Sequence, residues 1–136
     1  MKIEGQCHCG AVAYEGEVDP ANVSICHCVD CQQLSGAPFR ASVPARAEQF
    51  RFLKGSPKHY VKVADSGNKR AQAFCPDCGT ALYSTQGEGP PQVYNLRVGA
   101  LKQREALVPL KQIWAKSALP WTYHIDELES LDGQTK

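Results

Sequence analysis

The chain has 136 residues, a formal net charge of +1 and seven cysteines. This length fits one domain of ordinary size, and the near-neutral charge gives no indication of a nucleic-acid or membrane-surface partner. No apolar run approaches the roughly 18 residues that a membrane span requires, and the opening residues MKIEG lack the apolar region of a secretory signal. The sequence therefore predicts a cytoplasmic protein that binds neither nucleic acid nor membrane.

The predicted elements are mostly short strands. Between Gly10 and Val18, small or apolar residues recur at every second position, which predicts a strand with one buried face. Further strands are predicted at 39–43, 50–53, 59–63, 71–74, 80–84, 92–98 and 111–115. Glycine and proline clusters separate several of them, as is typical of turns. The pattern predicts a single all-β domain over residues 1–125.

Helix is predicted to be scarce. One short helix is expected at 28–35, ended by Gly36 with Pro38 just beyond it. Residues 126–136 are polar and are expected to form a C-terminal tail, either as a short helix or as a frayed end.

The seven cysteines lie in three clusters: Cys7-x-Cys9, Cys26-x-Cys28-x-x-Cys31 and Cys75-x-x-Cys78. Their odd number disfavours a disulfide framework, and a disulfide within a Cys-x-Cys segment would close a strained ring. A reducing compartment also disfavours structural disulfides. The clusters therefore predict metal binding, and the residue types favour zinc.

Two partitions of the cysteines are possible. In the first, one closed tetrahedral zinc site leaves three cysteines for a second metal; the closed site comprises Cys7, Cys9, Cys75 and Cys78. In the second, a zinc ribbon is formed by Cys28, Cys31, Cys75 and Cys78. A ribbon usually has about 15–20 residues between its pairs, whereas 43 residues separate these two. The first partition is favoured because it also uses every cysteine.

The remaining Cys26, Cys28 and Cys31 then resemble a catalytic zinc site, which has three protein ligands and one open position. The simpler alternatives are a histidine that closes the site or a water-capped structural zinc. His8 and His27 each lie between two ligands and are expected to point away from the metal. Three thiolates weaken the Lewis acidity of zinc, so hydrolysis by zinc hydroxide is disfavoured and binding of a substrate thiol is favoured.

At this point the sequence resembles the glutathione-dependent formaldehyde-activating (Gfa) family. The resemblance extends from about Gly5 to Trp121 and includes all seven cysteines. The motifs that carry it are Gly5-x-Cys7-x-Cys9-Gly10-x-Val12, Cys26-x-Cys28-x-x-Cys31, Ser35-Gly36-Ala37-Pro38-Phe39, Ser66-Gly67, Phe74-Cys75-Pro76-x-Cys78-Gly79-Thr80 and Ile113-Trp114-x-Lys116-Ser117-x-Leu119-Pro120-Trp121.

The resemblance implies a mainly antiparallel β fold of the β-tent kind. It also implies a structural zinc on Cys7, Cys9, Cys75 and Cys78, and a second zinc on Cys26, Cys28 and Cys31 that glutathione can approach. The implied reaction is that of a carbon–sulfur lyase, which forms or cleaves S-(hydroxymethyl)glutathione. Relatives such as centromere protein V serve as binding modules, so a non-catalytic zinc module or glutathione carrier is the alternative.

Residues outside the cysteines are expected to hold the substrate. Glutathione is anionic, so a cation is expected near the open site. Arg40 is the first candidate and Lys116 and Arg70 come next, with an ordinary surface charge as the competing interpretation for each. Ser35 and Phe39 are also candidate substrate contacts, for which a helix-ending hydrogen bond and core packing are the alternatives.

Overall fold

A computed structural model describes residues 1–64 and 66–134, and this part of the chain is mostly β-sheet. Its one α-helix is Val29–Ser35 (α1). The strands are Lys2–Gln6 (β1), Ala13–Glu17 (β2), Ser24–Cys26 (β3), Arg40–Arg46 (β4), Phe50–Lys54 (β5), Lys58–Val63 (β6), Lys69–Phe74 (β7), Ala81–Gln86 (β8), Val93–Arg97 (β9) and Lys111–Ile113 (β10). The predicted all-β fold with little helix is confirmed.

The strands form two sheets. The smaller sheet has the order β1-β2-β5, and the larger one has the order β10-β3-β4-β9-β8-β7-β6. Among the strands of the described residues, only β10 and β3 pair in parallel, and every other pair is antiparallel. Each predicted strand overlaps an observed one, whereas β1 and β3 were not predicted.

One face of the larger sheet contributes to the hydrophobic core. Val43 of β4 lies opposite Leu96 of β9, and Leu96 in turn lies opposite Tyr83 of β8, which faces Ala73 of β7. All four residues are buried in one cluster with Tyr14 of the smaller sheet. Because side chains alternate between the faces of a strand, the residues between these point to the other side.

The opposite face of the larger sheet is polar. Ser42 pairs with Arg97, while Asn95 pairs with Ser84, which pairs in turn with Gln72. Residues that are opposite each other on neighbouring strands have their side chains within contact distance. The register thus places serine, amide and arginine side chains from four strands on one surface, next to the strand that ends at Cys26.

Local features near the cysteines explain how their loops are shaped. Helix α1 begins after Cys28, whose sulfur accepts a hydrogen bond from the Cys31 N–H at 3.3 Å, and ends at Gly36 with φ of 65°. This confirms the predicted helix and its glycine stop. Gly55 has φ of 70°, and a Cβ added there would lie 2.1 Å from the backbone oxygen of Ala11. A glycine is therefore required where β5 ends against the first cysteine loop.

The C-terminal segment has little regular structure. A 3-10 helical segment covers Pro120–Glu127, across the predicted boundary between the domain and the tail at 125 and 126. From 128 to 134 the described residues form no helix or strand, and Thr135 and Lys136 lie outside the described residues. No described helix has the length and apolar character needed to cross a membrane. The division into a domain over 1–125 and a tail stays a prediction.

Candidate metal centres and the cavity beside them

Four cysteines from two distant parts of the chain meet at one point. We call Cys7, Cys9, Cys75 and Cys78 the cysteine quartet; their sulfurs all lie within 4.8 Å of one another. The sulfur of Cys9 lies 3.6 Å from that of Cys7 and 3.7 Å from that of Cys75. A tetrahedral zinc with Zn–S bonds of about 2.3 Å places its sulfurs about 3.8 Å apart. The quartet therefore fits zinc in donor type, number and spacing.

Backbone amides support the quartet. The Val12 N–H donates to the Cys7 sulfur at 3.2 Å, and the N–H groups of Asp77 and Cys78 point at the Cys75 sulfur at 3.4 and 3.5 Å. Amide donors stabilise the thiolate form, which is the form that binds metal. The two amides at Cys75 belong to the turn of the Cys75-x-x-Cys78 segment itself.

Thr80 connects the two halves of the quartet. Its hydroxyl oxygen accepts a hydrogen bond from the His8 N–H at 3.0 Å, and its hydroxyl lies 3.2 Å from the Cys78 sulfur. The hydrogen bond from the Thr80 side chain is the largest cause of a lowered pKa of Cys78, to about 5. Thr80 thus links the Cys7–Cys9 loop to the β7–β8 turn and favours the thiolate of Cys78.

The other three cysteines form a second group, the cysteine trio of Cys26, Cys28 and Cys31, whose sulfurs lie within 4.8 Å of one another. Cys26 ends β3, and the other two lie at the start of α1. Neither His8 nor His27 belongs to the trio or the quartet. The structure thus separates the cysteines as in the favoured partition, and the pairs required for a zinc ribbon lie in different groups.

Arg40 contacts the trio directly. It is opposite Cys26 on the neighbouring strand, and its Nη2 donates to the Cys31 sulfur at 3.4 Å. Burial opposes ionisation of Cys31, but the hydrogen bond from Cys28 and the positive charge of Arg40 outweigh it and lower its pKa. Arg40 is 8% exposed, so its charge acts on the trio in a largely desolvated setting.

A cavity of about 230 Å³ opens beside the trio, on the polar face of the larger sheet. We call it the site cavity. Two cysteines and four basic residues line it: Cys26, Cys31, Arg40, Lys62, Arg70 and Arg97. The Lys62 ammonium pairs with the Asp30 carboxylate at 2.5 Å. Within residues 1–64 and 66–134, no carboxylate lies within 4.0 Å of the three guanidinium groups.

Arg97 is the most constrained of these cations. It is 8% exposed and donates to Ser42 Oγ at 2.7 Å and to Gln72 Oε1 at 2.9 Å. Its Nε is buried without a hydrogen-bond partner, as is the Nε of Arg40. Burial is the main cause of a lowered pKa of Arg97, to about 9, and the charges of Arg40 and Arg70 add to it. A buried cation with neutral partners only is costly for the fold, so it indicates a site for an anion.

Comparison with known proteins shows the family of the chain. Residues 2–117 match the family described as glutathione-dependent formaldehyde-activating enzyme. The chain belongs to this family. A crystal structure of a Rhodobacter sphaeroides protein is also similar, with a TM-score of 0.62 and 23% identity over 80% of this chain and 98% of that chain. That likeness shows the fold. In this family member the two cysteine clusters suit zinc, and dependence on glutathione indicates a thiol partner.

The candidate substrate contacts occupy different places. Arg40 and Arg70 line the site cavity. Lys116 lies over the ring of Trp114, 5.1 Å from its centroid. The Ser35 hydroxyl donates to the Cys31 carbonyl at 2.6 Å, which is the helix-ending hydrogen bond considered as its alternative.

Phe39 lines a different cavity from the one beside the trio. Its ring packs edge-on against that of His27, with centroids 5.6 Å apart, and both residues line a second cavity with Tyr123. His27 is 2% exposed, and its Nε2 lies 2.7 Å from Gln112 Oε1. Neither Ser35 nor Phe39 lines the site cavity.

Sequence reasoning missed Arg97, Gln72 and Lys62 as residues of the site. Each lies on a strand whose existence was predicted. For Arg97 and Gln72, the available signal was that polar residues recur at alternate positions over part of β7, β8 and β9. Alternation of that kind usually indicates a solvent-facing side, and only strand order and register show that these polar positions converge beside the cysteines.

Proposed function

We propose that this protein is a carbon–sulfur lyase-type enzyme that adds a thiol such as glutathione to formaldehyde or a related small aldehyde and catalyses the reverse cleavage. One observation carries the proposal: the trio has only three sulfur donors, and two of its cysteines line a cavity with four basic side chains. The family description names both substrates. A three-ligand site with cations beside it suits an anionic thiol better than water chemistry.

We assign two zinc ions to each chain, with the quartet as a structural site and the trio as the reaction site. Four sulfurs complete tetrahedral zinc, so the quartet has no position left for a substrate. Cys26, Cys28 and Cys31 would hold the zinc, which would supply a soft Lewis acid that favours the thiolate form of a substrate thiol. The roles of Cys26, Cys28 and Cys31 are therefore those of ligands at the reaction site.

The chemical step needs no redox partner. A sulfur–carbon bond forms as the carbonyl π bond breaks, and the proton that leaves the thiol is taken up by the former carbonyl oxygen. Thiols add to formaldehyde readily without a catalyst, so positioning of the two reactants can account for the acceleration required. Cleavage reverses each of these changes and releases both reactants.

Residues of the chain assist with both reactants, the thiol and the carbonyl compound. Arg40 favours the thiolate form of Cys31 through its hydrogen bond and charge. Arg70 and Arg97 draw an anionic thiol toward the cavity, and the Ser84 hydroxyl is available on the cavity wall for the carbonyl oxygen. Of the residues predicted to hold the substrate, the proposal retains Arg40 and Arg70.

Exchange NMR of glutathione with formaldehyde tests the proposal. Zinc-loaded protein should broaden the signals of the free thiol and its adduct, or produce exchange cross-peaks between them. The exchange rate should rise with protein concentration. Cys31→Ser should remove the effect, while Arg51→Gln, which alters an exposed ion pair with Glu15, should leave it unchanged. If zinc-loaded protein does not accelerate adduct exchange with any of several small aldehydes, the proposed enzymatic activity is refuted.

Calorimetry separates the carrier from the enzyme. Glutathione binding that is lost in Cys31→Ser, combined with no acceleration by the zinc-loaded protein, would establish the carrier instead. Binding with acceleration supports the enzyme. The two measurements use the same samples, so metal loading is held constant.

We also propose the cytoplasm as the location. All seven cysteines are free thiols in the structure, and reduced thiols are maintained in a reducing compartment. Labelling of thiols in whole cells, followed by zinc analysis of the purified protein, tests this; inter-cysteine disulfides in the freshly isolated protein would contradict it.

A further inference from the structure

The site cavity contains more positive charge than a neutral aldehyde needs. Lys62 is balanced by Asp30, and Arg40 faces the Cys31 sulfur. In the described part of the chain, Arg70 and Arg97 have neutral hydrogen-bond partners and no carboxylate within 4.0 Å. Charges held in this way are normally matched by a bound ion of opposite sign.

A charge count shows how much is unmatched. Three thiolates and one Zn²⁺ give the loaded trio a net charge of −1, and Arg40, Arg70 and Arg97 contribute +3. The loaded site therefore has a net charge of +2. A substrate thiolate lowers this to +1, and one further anionic group makes the site neutral.

The surrounding donors suit a carboxylate. A guanidinium binds a carboxylate through two parallel hydrogen bonds. Arg97 is held in place by Ser42 and Gln72, and Arg70 Nη2 donates to Ser84 Oγ at 3.3 Å. Two contacts hold the Arg97 guanidinium and one holds that of Arg70, and both groups have further N–H donors unused. A carboxylate that binds them needs little rearrangement of the cavity.

We propose that Arg70 and Arg97 form a binding site for a carboxylate of the substrate, within the same cavity as the trio. The inference rests on the proposed function, which makes the trio the reaction site. The carboxylate belongs either to the thiol or to the carbonyl compound. The cavity, at about 230 Å³, is smaller than the roughly 300–1,000 Å³ of most small-molecule pockets. This small volume favours a small acid over a bulky one, and the unmatched positive charge favours a carbonyl acid, such as a 2-oxo acid, over the neutral formaldehyde of the family description.

Binding of glycolate, measured by calorimetry on zinc-loaded protein, tests the site without any reaction. Glycolate has the hydroxyl and carboxylate of a carbonyl-acid adduct but no electrophilic carbon, and glycolamide is its neutral counterpart. Glycolate should bind at least tenfold more tightly than glycolamide, because a hydrogen bond to a charged group is worth roughly one to two powers of ten in affinity. Equal binding of the two would overturn the inference.

Variants show whether the arginines are responsible. Arg70→Gln and Arg97→Gln should each weaken glycolate binding roughly tenfold or more, and Arg70→Lys should restore part of it. Arg51→Gln should bind glycolate like the parent protein. Arg70 is only partly buried, so its variants should fold even if Arg97→Gln does not. Unchanged glycolate affinity in Arg70→Gln, as direct binding to zinc would give, overturns the inference.

Four reactant pairs identify the source of the carboxylate. The thiols are 2-mercaptoethanol and 3-mercaptopropionate, and the carbonyl compounds are formaldehyde and glyoxylate. If glyoxylate reacts faster than formaldehyde and Arg70→Gln removes this difference, the carboxylate belongs to the carbonyl compound. If 3-mercaptopropionate reacts faster than 2-mercaptoethanol and Arg70→Gln removes that difference, it belongs to the thiol. Both support the site. Glycolate binding without turnover of any pair refutes only the proposed function, whereas turnover without discrimination between these reactants overturns only the inference.

Discussion

Replacing Arg40 by methionine should weaken zinc binding at the trio and leave the quartet unaffected. The guanidinium lies 3.4 Å from the Cys31 sulfur. At an effective dielectric constant of about 20, two unit charges at that distance attract by about 5 kcal/mol, which is an upper bound. The net worth of a hydrogen bond to a charged group is about 1.5–3 kcal/mol. The affinity of the trio for zinc should therefore fall roughly 10- to 150-fold.

A chelator titration with a colorimetric zinc indicator measures this loss. Arg40→Met should release its first zinc at a lower chelator concentration than the parent protein, and the second zinc at the same concentration. Arg40→Lys keeps the charge but not the planar group, so its first release should lie between the two. The control Arg51→Met should match the parent protein. If Arg40→Met shifts both releases equally, or neither, Arg40 does not act on the trio as argued.

The remaining predictions concern the division between the two centres and the loops that hold them. A mild chelator should remove one zinc first and abolish glutathione binding, with far-ultraviolet circular dichroism unchanged. Cys78→Ser should give unfolded or insoluble protein, whereas Cys31→Ser should fold and fail to bind glutathione; equal unfolding of both would contradict the division. Thr80→Val removes the largest cause of the lowered pKa of Cys78, so protons should compete better with the metal and acid should release the zinc proposed at the quartet at a higher pH. A zinc indicator present during an acid titration measures this release. Gly55→Ala places a Cβ 2.1 Å from the Ala11 oxygen at a positive φ. It should lower the free energy of unfolding, measured by urea melts, by about 1–3 kcal/mol or more. An unchanged midpoint would contradict the rigidity of this contact.

The grouping of the cysteines was largely predictable from the sequence. Spacing alone favoured the partition into quartet and trio, because it used every cysteine and avoided an overlong ribbon. The helix after Cys28 was also predictable from its glycine stop. The helix and the closely spaced cysteine pairs depend on residues near one another in the chain, where local geometry restricts what the backbone can do. The number of cysteines then indicated which of the distant pairs combine.

The two strands that were missed show where local reasoning ends. In β1, the inward positions are Ile3 and Gly5, so the segment has one large apolar residue and a weak alternation. A Cβ at Gly5 would lie 2.3 Å from the Tyr14 ring, so the ring takes the place of a side chain there. Strand β3 is three residues long and is defined by its neighbours β4 and β10. The Tyr14 ring that covers Gly5 and the neighbours that define β3 both lie outside the segments concerned, so the sequence of each segment does not indicate its strand.

The carboxylate site was unpredictable for a related reason. Arg97 and Gln72 are 25 positions apart, and Ser42 lies 55 positions from Arg97. Their meeting depends on the strand order β4-β9-β8-β7, which brings together strands that lie between residues 40 and 97. A one-residue change of register would turn the same residues toward the apolar core. The sequence therefore contained the donors but not the surface that they form.

The β7–β8 hairpin explains why one cysteine group should be closed and the other open. At its turn it carries Cys75 and Cys78 of the quartet, and along its strands it carries Gln72 and Ser84 of the site cavity. Zinc held by the quartet, as proposed, would fix the turn, and its binding free energy would become folding free energy. That stabilisation would offset the cost of holding Arg97 desolvated without a carboxylate beside it. The trio spans only six residues at the edge of the cavity, so a metal there would contribute little to the fold, and its three donors would leave room for the substrate.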